Sequence, residues 1–276
     1  MSISSETAGK ASQAKPWIRR FGRFGHMAKG VVYAMVGLFA LMAAAGTGGG
    51  TTDTSGALMT VANEPFGQVL LWLIGIGLIG YVVWELIKSI NDAEHEGTDT
   101  KGIAKRIGYM ISAFIYGSLA LTAIRLALHA GGRGNSEKTI SAKLLAQPFG
   151  QWIVGLIGLL IIVYGLIELY RGFKEKFMKY FKTREMNEKE INLARRAGKA
   201  GLMARGIVLA MTGFFFVRTA VTADPSKAKG IDGALAELAA QPHGQLLLGI
   251  VAAGLILYGV YEIIRGRYQR MDFGRE

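Results

Sequence analysis

Three glutamates recur in one local pattern: Glu85, Glu168 and Glu262 each follow a tyrosine by four residues (Tyr81, Tyr164, Tyr258) and precede a cation by three (Lys88, Arg171, Arg265). A carboxylate inside an apolar run is costly, and so is a candidate for binding a proton, a cation or a ligand. The spacing also admits a structural reading, in which each glutamate sits near an interface and pairs along its own helix with the cation at i+3 and the tyrosine at i−4. Gln68, Gln151 and Gln245 share the stripe, which runs in steps of three or four through Leu71, Gly75, Leu78 and Tyr81 to Glu85 and Lys88. Arg125 and Arg218 occupy equivalent places at the far ends of two other runs. There they could snorkel to headgroups, pair with a loop carboxylate or bind an anion.

Other chemistry finds little support. Cysteine is absent, which excludes disulfides, thiolate nucleophiles and cysteine-ligated metals. His26, His95, His129 and His243 are scattered, without a His-Glu-x-x-His pair or a nucleophile elbow. Gly75-Ile76-Gly77-Leu78-Ile79-Gly80 spells the dinucleotide fingerprint, yet it lies inside an apolar run with no strand before it, so these are expected to be packing glycines. Gly46 to Gly50 has no Lys-Ser or Lys-Thr partner and reads as a loop. No catalytic residue, metal or cofactor is implied, and an intramembrane enzyme is only a minor alternative.

The elements that must position these residues are apolar helices. Half of the 276 residues are apolar although 52 are charged, so the charges are segregated. Six stretches, about 24–45, 66–87, 107–129, 149–170, 201–222 and 245–264, each offer the roughly 20 residues needed to cross about 30 Å of hydrocarbon. Ala43-Ala44-Ala45 resembles a leader cleavage site. However, a long polar segment precedes that run, and the run itself recurs downstream. Lysine and arginine number twenty-five in 1–29, 88–106, 171–205 and 265–275, against five in the opposite loops (Arg133, Lys138, Lys143, Lys227, Lys229). Basic residues stay cytoplasmic, which predicts cytoplasmic N- and C-termini. The net charge of +12 is explained without any nucleic acid.

Internal repeats organise the chain. Phe24-Gly25-His26-Met27 aligns with Ile107-Gly108-Tyr109-Met110 and Ala200-Gly201-Leu202-Met203, and Pro65-Phe66-Gly67-Gln68 with Pro148-Phe149-Gly150-Gln151 and Pro242-His243-Gly244-Gln245. The offsets are 83 and then 93 or 94 residues. This pattern resembles the bacterial membrane family known as domain of unknown function 1206, with its three tandem two-helix repeats and Pro-Phe-Gly motif. The resemblance covers about residues 18 to 268. It implies an all-α membrane architecture and an inner-membrane location, and no activity. The third copy departs from the motif at His243. The expected organisation is a cytoplasmic segment 1–23, repeat 1 at 24–90, repeat 2 at 107–173, a basic loop 174–199, repeat 3 at 200–268 and a tail 269–276. Repeats of two spans keep one orientation, which predicts three parallel hairpins about a pseudo-threefold axis.

On the odd spans, Gly30, Ala34 and Gly37 align with Ala113, Gly117 and Ala120 and with Gly206, Ala210 and Gly213. Small residues on one face let helix backbones approach, and that is their expected role. Phe173 to Lys182 alternates aromatics with lysines and is expected to lie as a helix in the interface, aromatic side down, against anionic headgroups. Short segments in the external loops, Ala57–Ala62, Ala142–Ala146 and Ala234–Ala240, are expected to lie on the membrane or cover the bundle, capped by Asp53 or Ser55, Ser141 and Asp232. Two functions compete: a membrane scaffold or protein-partner-binding protein, and a small channel or transporter along the axis between hairpins. Glutamates facing neighbouring hairpins favour the first, and glutamates lining a hydrated cavity the second.

Overall fold

The computed structural model describes residues 3–94, 97–129, 136–147 and 149–271, with side chains from 16 onward except 136–140. His95, Arg133 and Pro148 lie outside these residues, as do the side chain of Lys138 and the end of the tail. The described chain is all-helical apart from one isolated bridge. Six helices are long and apolar enough to cross a membrane: α1 (Ile3–Ala44, its apolar part from Pro16), α3 (Gly67–Asn91), α4 (Thr100–Ala127), α6 (Gly150–Phe173), α7 (Glu188–Thr222) and α9 (Gly244–Tyr268). Three short helices lie at one end between them: α2 (Thr54–Ala62), α5 (Ser136–Leu145) and α8 (Ile231–Ala239). The chain is a multi-pass membrane protein. The side carrying α2, α5 and α8 is called the short-helix end, and the other the basic end.

The x-Gly pairs of the three motifs, Phe66-Gly67, Phe149-Gly150 and His243-Gly244, turn the chain from a short helix into a long one. Phe66, Phe149 and His243 hold left-handed backbone, at φ 64°, 62° and 59°. The next residue must be glycine, because a Cβ on Gly67, Gly150 or Gly244 would overlap the Val61, Leu144 or Ala239 carbonyl oxygen. The glycine amides close the turn on Glu64, Gln147 and Gln241 carbonyls at 2.8–2.9 Å. The side chains of Phe66, Phe149 and His243 are exposed, which is why histidine substitutes for phenylalanine without disturbing the turn. Asp53 caps α2 by accepting from the Gly56 amide at 2.7 Å. The other expected caps differ: Gly230 precedes α8, with Asp232 in its first turn, and Ser141 lies inside α5.

The most extensive seams join different repeats. α9 packs on α1, α3 on α4, and α6 on α7; the hairpin seams α1–α3 and α7–α9 come next. The six long helices therefore follow one another as α6, α7, α9, α1, α3 and α4. The ends of that series, α4 and α6, are the two helices of repeat 2, and they make no comparable seam among the described residues. Equal closure of three hairpins, expected from a threefold arrangement, is not what repeat 2 shows.

Small residues set the seams between repeats. A Cβ on Gly30 would stand 2.6 Å from the Gly259 oxygen, and one on Gly37 2.7 Å from that of Ala252. The same holds for Gly206 on Gly165 at 2.7 Å and for Gly213 on Gly158 at 2.6 Å. Ala34 and Ala210 lie against Gly259 and Gly165. The α3–α4 seam is looser: Ala113 and Ala120 are buried, but Gly117 has only the Val82 side chain at 3.8 Å.

The loop 174–199 departs from expectation. Residues from Glu188 onward are already α7, started by a capping box in which Asn187 and Glu190 bond each other's backbone amides at 2.9 and 3.0 Å. At 35 residues α7 spans about 52 Å, so it extends well beyond the hydrocarbon. The expected interfacial helix is a short 3-10 turn, Lys176–Tyr180. Phe177 and Phe181 are buried against Tyr261, with ring centroids 5.3 and 5.8 Å away. Backbone bonds from Lys182 to Tyr268 and from Arg270 to Tyr180, each 2.9 Å, pin this loop to the end of α9. Burying two phenylalanines against the bundle outweighs laying them in the interface, because the same turn also satisfies backbone groups there.

Candidate functional site: a buried charge network between repeats

All three glutamates are buried, and their partners differ. Glu262, on α9, takes His26 Nδ1 on one oxygen at 2.7 Å. Its other oxygen accepts from Tyr258 at 2.8 Å and lies 3.3 Å from Lys29 Nζ and 3.7 Å from Arg265. His26 and Lys29 are on α1, so this ion pair ties repeat 3 to repeat 1. Glu168, on α6, pairs with Arg205 of α7 at 2.6 Å, which ties repeat 2 to repeat 3. Glu85 pairs within its own helix, with Lys88 three residues on.

The repeat alignment explains the difference. Lys29, Ser112 and Arg205 are equivalent positions. Glu262 and Glu168 therefore each meet a cation from the neighbouring repeat, whereas Glu85 would meet a serine and turns to Lys88. Ser112 lies 3.5 Å from the Tyr81 hydroxyl. Lys29 and Arg205 count among the basic residues that set topology, yet both are buried inside the bundle. Comparing the three copies at this position is the signal that picks them out.

Tyrosines fill the space between the ion pairs. Lys29 Nζ donates to the Tyr81 hydroxyl at 3.2 Å and stands 4.8, 4.9 and 5.6 Å from the ring centres of Tyr81, Tyr116 and Tyr258. Arg205 donates through Nε to Tyr33 at 3.2 Å and lies over the rings of Tyr33, Tyr164 and Tyr258. Tyr116 donates to Tyr33 at 3.2 Å. Cations against aromatic faces are stabilised most where water is excluded. Of the three equivalent tyrosines, Tyr258 alone donates to the glutamate four residues on. Tyr81 and Tyr258 are 3% and 1% exposed and Tyr164 is 42% exposed, because Tyr164 stands beside the unclosed hairpin.

Other expected site residues lie elsewhere. Gln68, Gln151 and Gln245 are exposed at the short-helix end, far from the glutamates. Gln68 donates to the Ala127 carbonyl at 3.1 Å and contacts His129 at 3.0 Å. Arg125 and Arg218 are exposed. Arg218 adds to the field on Glu237 of α8, whose carboxyl is held below its usual value chiefly by the Lys229 hydrogen bond at 2.7 Å. Near the basic end, Glu94 lies in the loop after α3. Burial opposes its charge, but Lys88, Arg265 and a 2.8 Å bond from Tyr109 hold its carboxyl below the usual range. Among the described residues no three histidine, aspartate or glutamate side chains group as metal ligands would.

Three segments of the chain, 24–92, 107–175 and 200–269, match the family described as Domain of Unknown Function (DUF1206). The chain is 47% identical over 274 residues to YxxB of Bacillus subtilis (strain 168), itself described as uncharacterized, covering 99% of each chain. No solved structure matches.

Proposed function

Because the chain belongs to the Domain of Unknown Function (DUF1206) family, which is characterised by architecture and not by an activity, we propose from the residues that it is a scaffold or partner-binding protein of the bacterial inner membrane. One observation carries this reading: the repeated glutamates are spent on ion pairs, two of them between repeats, in a centre packed with Tyr33, Tyr81, Tyr116 and Tyr258. An ion pathway needs groups that water can reach, and these are buried and partnered. The basic-residue asymmetry orients both termini toward the cytoplasm. The exposed lysines of the basic end then face anionic headgroups.

A channel or transporter is the second reading. It is favoured by the number of ionisable groups inside the spans, His26, Lys29, Glu168, Arg205 and Glu262, since such groups are costly and often functional. Flux measured in proteoliposomes across a panel of ions and small solutes separates the two. The scaffold reading expects flux equal to that of empty vesicles; saturable flux that is lost in Glu262→Gln would replace it with the transporter.

A further inference from the structure

A groove of about 430 Å³ lies on α4 at the basic end, lined by Ser89, Ile103, Arg106, Ile107, Met110 and Ile111. Its floor is apolar, and Arg106 brings a cation to its edge. The guanidinium of Arg106 is held in place by the last turn of α3, with Nε donating to the Ser89 carbonyl at 2.7 Å and a terminal nitrogen to that of Ile90 at 2.9 Å. Ser89 returns a hydroxyl bond to the Arg106 carbonyl at 2.9 Å. An arginine anchored in this way is preorganised and loses little freedom when it binds an anion.

Depth gives the groove its meaning. From Arg106 to Ala127, where α4 ends, the rise is about 31 Å at 1.5 Å per residue, close to the thickness of the hydrocarbon. Arg106 therefore stands at the level of lipid phosphates. Ile107, Met110 and Ile111 lie just inside the hydrocarbon, each exposed, on the helix that does not close on α6. We propose that this groove is a specific site for an anionic phospholipid, its phosphate on Arg106 and one acyl chain along Ile107 and Ile111. The lipid covers a hairpin face that the protein itself leaves bare. The proposal rests on the basic end facing a leaflet that holds such lipids; its chemistry is independent of the scaffold reading.

Delipidated protein in mild detergent, titrated with dioleoyl phosphatidylglycerol, dioleoyl phosphatidylcholine or inorganic phosphate, tests the site by native mass spectrometry and thermal melting. Phosphatidylglycerol is expected to stay bound and to raise Tm by several degrees. Phosphatidylcholine and inorganic phosphate are expected to do neither. Arg106→Gln should weaken retention about tenfold. Because Arg106 also ties α4 to α3, the second variant is Ile107→Trp, which fills the groove from an exposed position and should abolish retention in a normally folded protein. Three results would overturn the proposal: equal retention of both lipids, retention unchanged by Ile107→Trp, or a photo-crosslinker at position 111 that captures a polypeptide in membranes instead of lipid.

Discussion

The hairpins of repeats 1 and 3 close on themselves while that of repeat 2 stands open, and aligned residues account for it. Gly25, Gly108 and Gly201 are equivalent. A Cβ on Gly25 would overlap the Tyr81 backbone and one on Gly201 would lie 2.5 Å from that of Tyr258, but around Gly108 there is nothing within 4 Å. One turn further, Ala28 faces Gly77 and Ala204 faces Gly254, whereas repeat 2 carries Ile111 and Leu160 at those places, both exposed. Backbones come together in a membrane only where side chains are small, since lipid is as good a solvent for isoleucine as another helix is. The pairing of small residues between repeats survives in all three copies, looser at α3–α4. Seams between repeats thus hold the bundle, and closure of a hairpin is optional.

The most severe test of this contrast is to enlarge equivalent glycines. Gly201→Leu should prevent folding or cost more than about 3 kcal/mol, since overpacking here meets backbone. Gly108→Leu should stay within about 0.5 kcal/mol, as surface changes usually do. Thermal melting of the two variants in the same detergent decides it, and equal losses would remove the account of the open hairpin.

Next in size is the ion-pair network. Lys29→Met leaves Glu262 with less compensation, and Arg205→Met removes the cation 2.6 Å from Glu168. Stranding a buried charge typically costs about 3–5 kcal/mol. Glu85→Gln should cost less, because its pair stays within one helix and ties no repeats together. If Glu85→Gln proved as damaging as Arg205→Met in chemical unfolding, the distinction between inter-repeat and local pairing would be wrong.

The absence of native cysteine allows a direct geometric test. A cysteine pair at 44 and 249, where a Cβ on Gly249 stands 3.8 Å from that of Ala44, should oxidise readily in membranes, and the pair at 111 and 160 in the open hairpin should not. Rapid cross-linking of the second pair would mean that repeat 2 closes.

The smallest expected effect concerns Glu94. Its carboxyl is depressed in the folded chain, so its contribution is present above the ordinary carboxyl range and is lost as pH falls through the lower folded value. Acidification should therefore loosen the loop between α3 and α4, read by amide exchange, and Glu94→Gln should reduce that loop's response to pH over the same window.

Much of the fold is local and so was legible in the residues. The length of an apolar run decides whether it spans, the copies of Pro-x-Gly mark three turns, and the glycines at 30, 37, 206 and 213 announce close packing. What the residues could not say is against which helix they pack. A spanning helix is apolar nearly all round, so no polar face points away from its neighbour. Only the folded chain placed Gly30 on Gly259 of another repeat, and not on its own hairpin partner.

The candidate site divides along the same line. The sequence by itself determined that Glu85, Glu168 and Glu262 each share a helix stripe with a tyrosine four residues before and a cation three residues on, because helical spacing is a property of the segment alone. The tertiary structure decided that Glu168 and Glu262 turn to Arg205 and Lys29 of a neighbouring repeat, and that Phe177 and Phe181 are buried against Tyr261. The physical reason is that a charge or an aromatic ring takes its environment from whatever helix lies opposite. In this chain the opposite helix is set by backbone approach between glycines far apart in sequence.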